Sequence, residues 1–257
     1  MASASDGTLF FTDLNEAVDR VIIRKILPNG IVSTILANEG NAESRYFPWA
    51  IDVSKNGIVY FTNLGSDNNQ IMRINQNGVI DTIAGCGLGF EDGPARSSKF
   101  NIMLAIAVGD NGAIYVSDTG NQAIRKIQNG VVSTIATNLF ATQSIDIGDD
   151  GIIYTNAVSS KDPFNLLSNT IIKISPLGTI STIVSNIAIS RDIESGPNGR
   201  LFVSVHQSDV YDISKNGNLN TLFSLGNDPT GLALVNNTLF VAQRLKPAIT
   251  KVILANN

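Results

Sequence analysis

Three residue types are nearly absent from this chain of 257 residues, which has one cysteine, one histidine and one tryptophan. A lone Cys86 excludes an intrachain disulfide. Set between Gly85 and Gly87 with no base beside it, it is also a poor nucleophile. No apolar run approaches the roughly 20 residues that span a bilayer. The opening Met1-Ala2-Ser3-Ala4-Ser5-Asp6-Gly7 has neither the basic nor the apolar region of a signal peptide. A soluble protein is expected, and secretion would need a leader outside this sequence. The single sequon Asn236-Asn237-Thr238 does not decide the compartment. Lys and Arg number 18 against 22 Asp and Glu, a formal net charge of −4. The basic residues are scattered, which argues against a grip on nucleic acid or an anionic membrane. There is no Gly-x-Ser-x-Gly elbow and no phosphate loop. No segment keeps a 3.6-residue apolar period over helical length.

What the chain does have is a unit of about 45 residues written roughly six times. The clearest copy runs from Ile106-Ala107-Val108 through Asn111-Gly112, Ile114-Tyr115-Val116-Ser117-Asp118-Thr119-Gly120-Asn121 and Ala123-Ile124-Arg125-Lys126-Ile127 to Asn129-Gly130 and Val132-Ser133-Thr134-Ile135. A first turn recurs as Asp6-Gly7, Asn56-Gly57, Asp150-Gly151 and Asn198-Gly199, and a second as Asn29-Gly30, Asn77-Gly78 and Asn216-Gly217. Asn-Gly and Asp-Gly supply the positive φ of tight hairpins. The runs between them are rich in the β-branched and aromatic residues that suit a half-buried sheet. Four short strands per unit, repeated evenly, predict an all-β chain folded as a six-bladed β-propeller of four-stranded antiparallel blades. The copies fall at 1–40, 41–88, 89–138, 139–186, 187–226 and 227–257, one domain throughout. The last stops where its siblings make their second turn, so an incomplete sixth blade is expected. Its unpaired edge makes an edge-mediated homodimer a candidate assembly.

The string Ile-Ala-Val-x-x-x-Gly-x-Ile-Tyr-Val-x-Asp-Thr-Gly-Asn-x-x-Ile-Arg-Lys-Ile closely resembles the NHL repeat. So does the connection Ala84-Gly85-x-Gly87-x-Gly89-Phe90-x-Asp92-Gly93 with Phe100 after it. The resemblance covers the whole chain and implies a six-bladed propeller. It implies no one function, because the family holds enzymes, protein binders and RNA binders. RNA binding wants a basic stacking surface that this acidic chain lacks. Zinc-dependent NHL lyases need several histidines, which His206 alone does not provide. Streptogramin-lyase-like propellers also use histidine chemistry, and His206 keeps that reading open.

The copies differ from one another in two columns. In the inner strands, where the NHL pattern has Ala, this chain has Asp52, Asp146 and Glu194. A carboxylate between apolar neighbours must be paired, hydrogen-bonded, protonated or metal-bound. These three are candidate ligands for Ca²⁺, candidate acid–base groups, or plugs held by water and neighbouring backbone amides. The second column lies where the chain leads into each inner strand: Trp49, Leu104, Gln143, Arg191 and Thr230. These are expected to ring one mouth of the central channel, as an apolar surface with a few polar groups. Insertions in repeat proteins gather on one face, and the 159–169 loop adds Phe164, Leu166 and Leu167 as a lid or partner contact. His206 follows the second strand of its copy, as a candidate ligand contact or a plain surface histidine. Asp13, Asn63 and Asp118 cap turns, and Lys25, Arg73, Arg125 and Lys173 form one basic column of the third strand. The favoured function is a binding propeller for a peptide, protein, glycan or small molecule at the channel mouth. The alternative is a metal-assisted hydrolase or lyase built on the inner carboxylates.

Overall fold

The computed structural model describes residues 1–15, 20–37, 46–64, 69–158, 169–206, 209–245 and 247–254. Phe164, Leu166 and Leu167 lie outside these residues. The described residues form six antiparallel sheets, five with their strands in sequence order and the third with a short earlier strand added at its outer edge. The fold is the six-bladed β-propeller, and its last blade has three strands, Pro229–Val235, Thr238–Gln243 and Ala248–Ile253. Among the described residues no helix is long and apolar enough to cross a membrane.

The turn chemistry explains why the strands end where they do. Gly7, Gly57, Gly112 and Gly151 sit at positive φ between inner and second strands, as do Gly30, Gly78 and Gly217 between third and outer strands. In most of these turns glycine alone is left-handed, and its N–H closes a four-residue loop, as Gly57 does on the Ser54 carbonyl at 2.8 Å. The preceding Asn or Asp does different work from the one its sequence suggested. Its side-chain oxygen accepts the N–H two residues on, as Asp6 does from Thr8, Asn111 from Ala113 and Asp150 from Ile152. Asn129 and Asn198 are the members of this set that take positive φ themselves, beside Gly130 and Gly199.

The chain divides into two compact units, Met1–Thr137 and Asn138–Asn257. In the first, Phe10 and Ile23 of blade one pack with Val53, Phe61 and Met72 of blade two. Ile71 of blade two packs with Met103, Ile106 and Val116 of blade three. In the second unit, Tyr154 and Ile171 of blade four meet Ile193, Leu201 and Val203 of blade five. Phe202 and Val210 then meet Leu232, Leu239 and Val241 of blade six. Fully burying each large side chain stabilises by roughly 1.5–3 kcal/mol, so these shared clusters hold neighbouring blades together inside each unit.

Strand register corrects one column. Lys25 faces Phe10, Arg73 faces Tyr60 and Lys173 faces Tyr154, and the matching residue of blade three is Lys126, which faces Tyr115. Arg125 faces Val116 and so matches Arg24, which faces Phe11. A one-residue slip moves a side chain to the other face of its sheet. Arg125 is accordingly buried, and it fastens the connection between blades two and three. Its guanidinium donates to Asp118 Oδ2 at 2.6 Å, Asp92 Oδ1 at 2.6 Å, and the carbonyls of Glu91 and Lys99. Its carbon centre lies 4.7 Å from the Phe90 ring centroid and 4.9 Å from that of Phe100. Gly93–Pro94 then adds a two-residue fifth strand to the outer edge of blade three.

Candidate functional site

The five residues expected at the mouth of the channel occupy matching places in their blades. Strand pairing slips between Pro48 and Ile51, Met103 and Ala105, Ser190 and Asp192, and Pro229 and Gly231. Trp49 falls within the first slip, and Leu104, Arg191 and Thr230 are the extra residues of the others. Gln143 precedes the inner strand Ile145–Ile147 of blade four, its N–H held by Asn156 Oδ1 at 2.9 Å. A β-bulge leaves one residue outside the ladder and re-aims its side chain. In the first unit Trp49 is 51% exposed and stacks on Phe47, with ring centroids 6.2 Å apart. Leu104 is half-buried. In the second unit Gln143, Arg191 and Thr230 are half-buried too.

The inner-strand carboxylates have backbone partners. Asp52 accepts the N–H of Val53 with one oxygen, at 2.7 Å, and the N–H of Val108 in blade three with the other, at 2.6 Å. Asp146 accepts the Ser195 N–H of blade five, and Glu194 accepts the Leu234 N–H of blade six at 2.8 Å. Asp192, two residues before Glu194, repeats the double contact with Ile193 at 3.0 Å and Leu232 at 2.7 Å. Each carboxylate thus ties its inner strand to the inner strand of the following blade. Burial pushes Asp146 up to about 6 against the bonds from Ser195 and Ile147, and the charge of Asp192 adds to the rise. Burial likewise raises Asp192. Among the described residues no group of three or more His, Cys, Asp or Glu side chains could hold one metal ion.

A different polar cluster does form, at the leading ends of blades five and six. His206 follows the second strand of blade five, Leu201–Val205, and its N–H donates to the Ile189 carbonyl at 2.8 Å. Its Nδ1 lies 2.9 Å from Asp228 Oδ1 and 2.9 Å from Arg191 Nη2. Arg244, in the matching place of blade six, reaches Asp228 Oδ2 with Nη2 at 2.9 Å. Asp228 is 1% exposed, whereas the side chains of Arg191, His206 and Arg244 are 27%, 33% and 61% exposed. The acid is covered, and the two arginines and the histidine are the more open to solvent.

Asp228 and Arg244 were missed by sequence reasoning, although a signal for Asp228 existed. Phe47, Ile102 and Ile189 occupy its place in other blades, so a carboxylate interrupts an apolar column. Both Asp228 and Ile102 are left-handed there, at φ 51° and 55°. Phe47 and Ile189 are not, so the conformation belongs to these two copies, and Asp tolerates it better than Ile.

A shallow cleft of about 260 Å³ lies between blades four and five at the opposite, hairpin end of the sheets. Its lining includes Asp149, Tyr154, Lys173, Ser195 and Lys215. Charges of both signs line it without a focus.

No protein-family model matches the chain, the NHL repeat included, and no curated protein matches it. Solved structures do. One is a nidogen/laminin complex, at 13% identity over 96% of this chain and 90% of that one, with a TM-score of 0.75. Another is a gluconolactonase from Xanthomonas campestris, at 14% identity over 99% and 85%, with a TM-score of 0.73. A third is a catalytically inactive histidine-to-alanine variant of virginiamycin B lyase from Staphylococcus aureus with quinupristin, at 20% identity over 98% and 78%, with a TM-score of 0.67. At these identities the likeness shows the fold alone.

Proposed function

We propose that this chain is an NHL-like binding propeller that takes its ligand at the leading ends of its inner strands. The observation that carries this reading is the recurrence of one device. At the same place in successive blades a bulge or loop frees one residue from the ladder, and those residues, Trp49, Leu104, Gln143, Arg191 and Thr230, do not repeat in kind. Residues that only fill a repeat's core are expected to resemble one another from copy to copy, whereas a ligand surface needs different groups at each point. The inner carboxylates have backbone amides to hold, which favours binding at the strand ends over chemistry on the inner strands. The structures with this fold include one in complex with laminin and one with quinupristin, so protein and small-molecule partners are both in reach of the architecture.

Amide chemical-shift mapping with a panel of small-molecule fragments and short peptides tests this. Shifts are expected at Trp49 and Leu104 of the first unit or at Gln143, Arg191 and Thr230 of the second. Shifts gathered at the hairpin ends, around Asn56-Gly57 and Asp150-Gly151, contradict it.

A further inference from the structure

We infer that Arg191, His206 and Arg244, seated over Asp228, form a site for a small carboxylate. This deepens the binding role proposed above and rests on it. Two observations carry it beyond a surface salt bridge.

The first is a conflict at His206 Nδ1. That atom is 2.9 Å from both Asp228 Oδ1, which can only accept when ionised, and Arg191 Nη2, which can only donate. One ring nitrogen cannot donate to the acid and accept from the guanidinium at once. With Nδ1–H given to Asp228, the arginine N–H needs another acceptor.

The second is Arg191 Nε, which is buried and has no hydrogen-bond partner among the described residues. Its nearest ion-pair contact, Asp228 Oδ1, is 3.9 Å away, beyond hydrogen-bond range. A buried unsatisfied donor is uncommon and costly. Nε and Nη2 lie on one edge of the guanidinium, now turned toward Asp228 and His206, and a rotation of the Arg191 side chain would present that edge to the two oxygens of a planar carboxylate.

The local charge agrees. Among the described residues two arginines face one aspartate, so that set is net positive within a chain of net charge −4. Asp228 is covered, so an arriving anion meets the cations first. His206 bonded to Asp228 through Nδ1 leaves Nε2 as the other polar atom of the ring, able to donate or accept according to its protonation. A ligand with a hydroxyl or carbonyl near its carboxylate suits that second atom.

The test uses benzoate, its neutral isostere benzamide, and inorganic phosphate, with His206 as reporter because it is the sole histidine. Benzoate is expected to shift the His206 imidazole resonances saturably, benzamide not, and Arg191→Gln to weaken benzoate about ten-fold or more, the loss expected for a charge-assisted bond. Arg244→Gln is expected to weaken it less, since that side chain is the more exposed. Equal shifts with benzoate and benzamide, or phosphate binding more tightly than benzoate, overturn the carboxylate assignment. So does a His206 signal that no benzoate concentration moves. If benzamide or peptide fragments then perturb the Trp49 indole instead, the broader binding role stands and the carboxylate site alone has failed. Unchanged amide spectra outside the substituted blade show that Arg191→Gln remains folded.

Discussion

Arg125→Met is expected to lower the free energy of unfolding by about 3–5 kcal/mol, the usual result of leaving a buried charge without its partner. Arg125 and Asp118 are both fully buried and meet at 2.6 Å. Asp118 keeps its bonds from the Asn101 N–H and from Asn121 in the variant, but they do not replace a cation. Asp92 is 45% exposed, so water compensates it and its share of the loss is small. Burial already raises the Asp118 carboxyl above its ordinary 3.8, opposed by Asn121, Asn101 and Arg125. Removing Arg125 raises it further. A carboxyl raised on folding is least unfavourable when protonated, so the deficit of the variant is largest near neutrality and shrinks as pH falls toward the ordinary carboxylate value. Urea unfolding of both proteins across that range checks this. A deficit below about 1 kcal/mol at neutral pH, typical of an exposed pair, contradicts the role given to Arg125.

Asp146 is expected to make stability fall as pH rises. Its pKa is about 6 in the folded chain against the ordinary aspartate value of 3.8. Between those values the folded protein holds the proton that the unfolded chain has lost, so unfolding becomes easier as pH climbs. The group's contribution is most favourable below 3.8, declines through the window, and levels off above about 6. The full drop is about 3 kcal/mol, at roughly 1.4 kcal/mol per pH unit. Asp146→Asn is expected to lose the share of the slope that Asp146 supplies and to keep what other raised carboxyls such as Asp192 supply, with a constant offset from the altered hydrogen bonds to Ser195 and Ile147. Asp192→Asn is expected to reduce the slope without abolishing it, because burial is the larger cause and the Asp192 charge the smaller. Parallel stability–pH curves for the parent and Asp146→Asn contradict the raised pKa.

The fold is legible in the sequence because its signals are local. Gly57 or Gly112 at a turn and Val59-Tyr60-Phe61 in a strand are each read within a few residues, and their recurrence supplies the sheet count. The two informative columns are also legible, since repeats can be compared with one another. Which way a side chain turns, and how far it reaches, is not. Asp52 reads as a costly carboxylate on an inner strand. That its second oxygen accepts the N–H of Val108, 56 residues on, depends on how one blade sits against the next. Arg125 falls one residue off its true column because basic residues occupy two neighbouring positions of the third strand, as in Arg24-Lys25 and Arg125-Lys126, and only cross-strand pairing separates them. His206 and Arg191 both stand out in the sequence, but their meeting at Asp228 joins three stretches of chain that no spacing rule connects.

Under the proposed binding role the inner carboxylates hold successive blades together and the strand ends meet ligands, and amide hydrogen exchange at Val108 of Asp52→Ala reads the first part of that division. Loss of this part-buried charge-assisted bond exposes that N–H locally. Exchange at Val108 is expected to quicken about ten-fold or more, with exchange elsewhere in blade three and fragment binding at Trp49 nearly unchanged. Unaltered exchange at Val108, or fragment binding lost with the carboxylate, would contradict this division of labour.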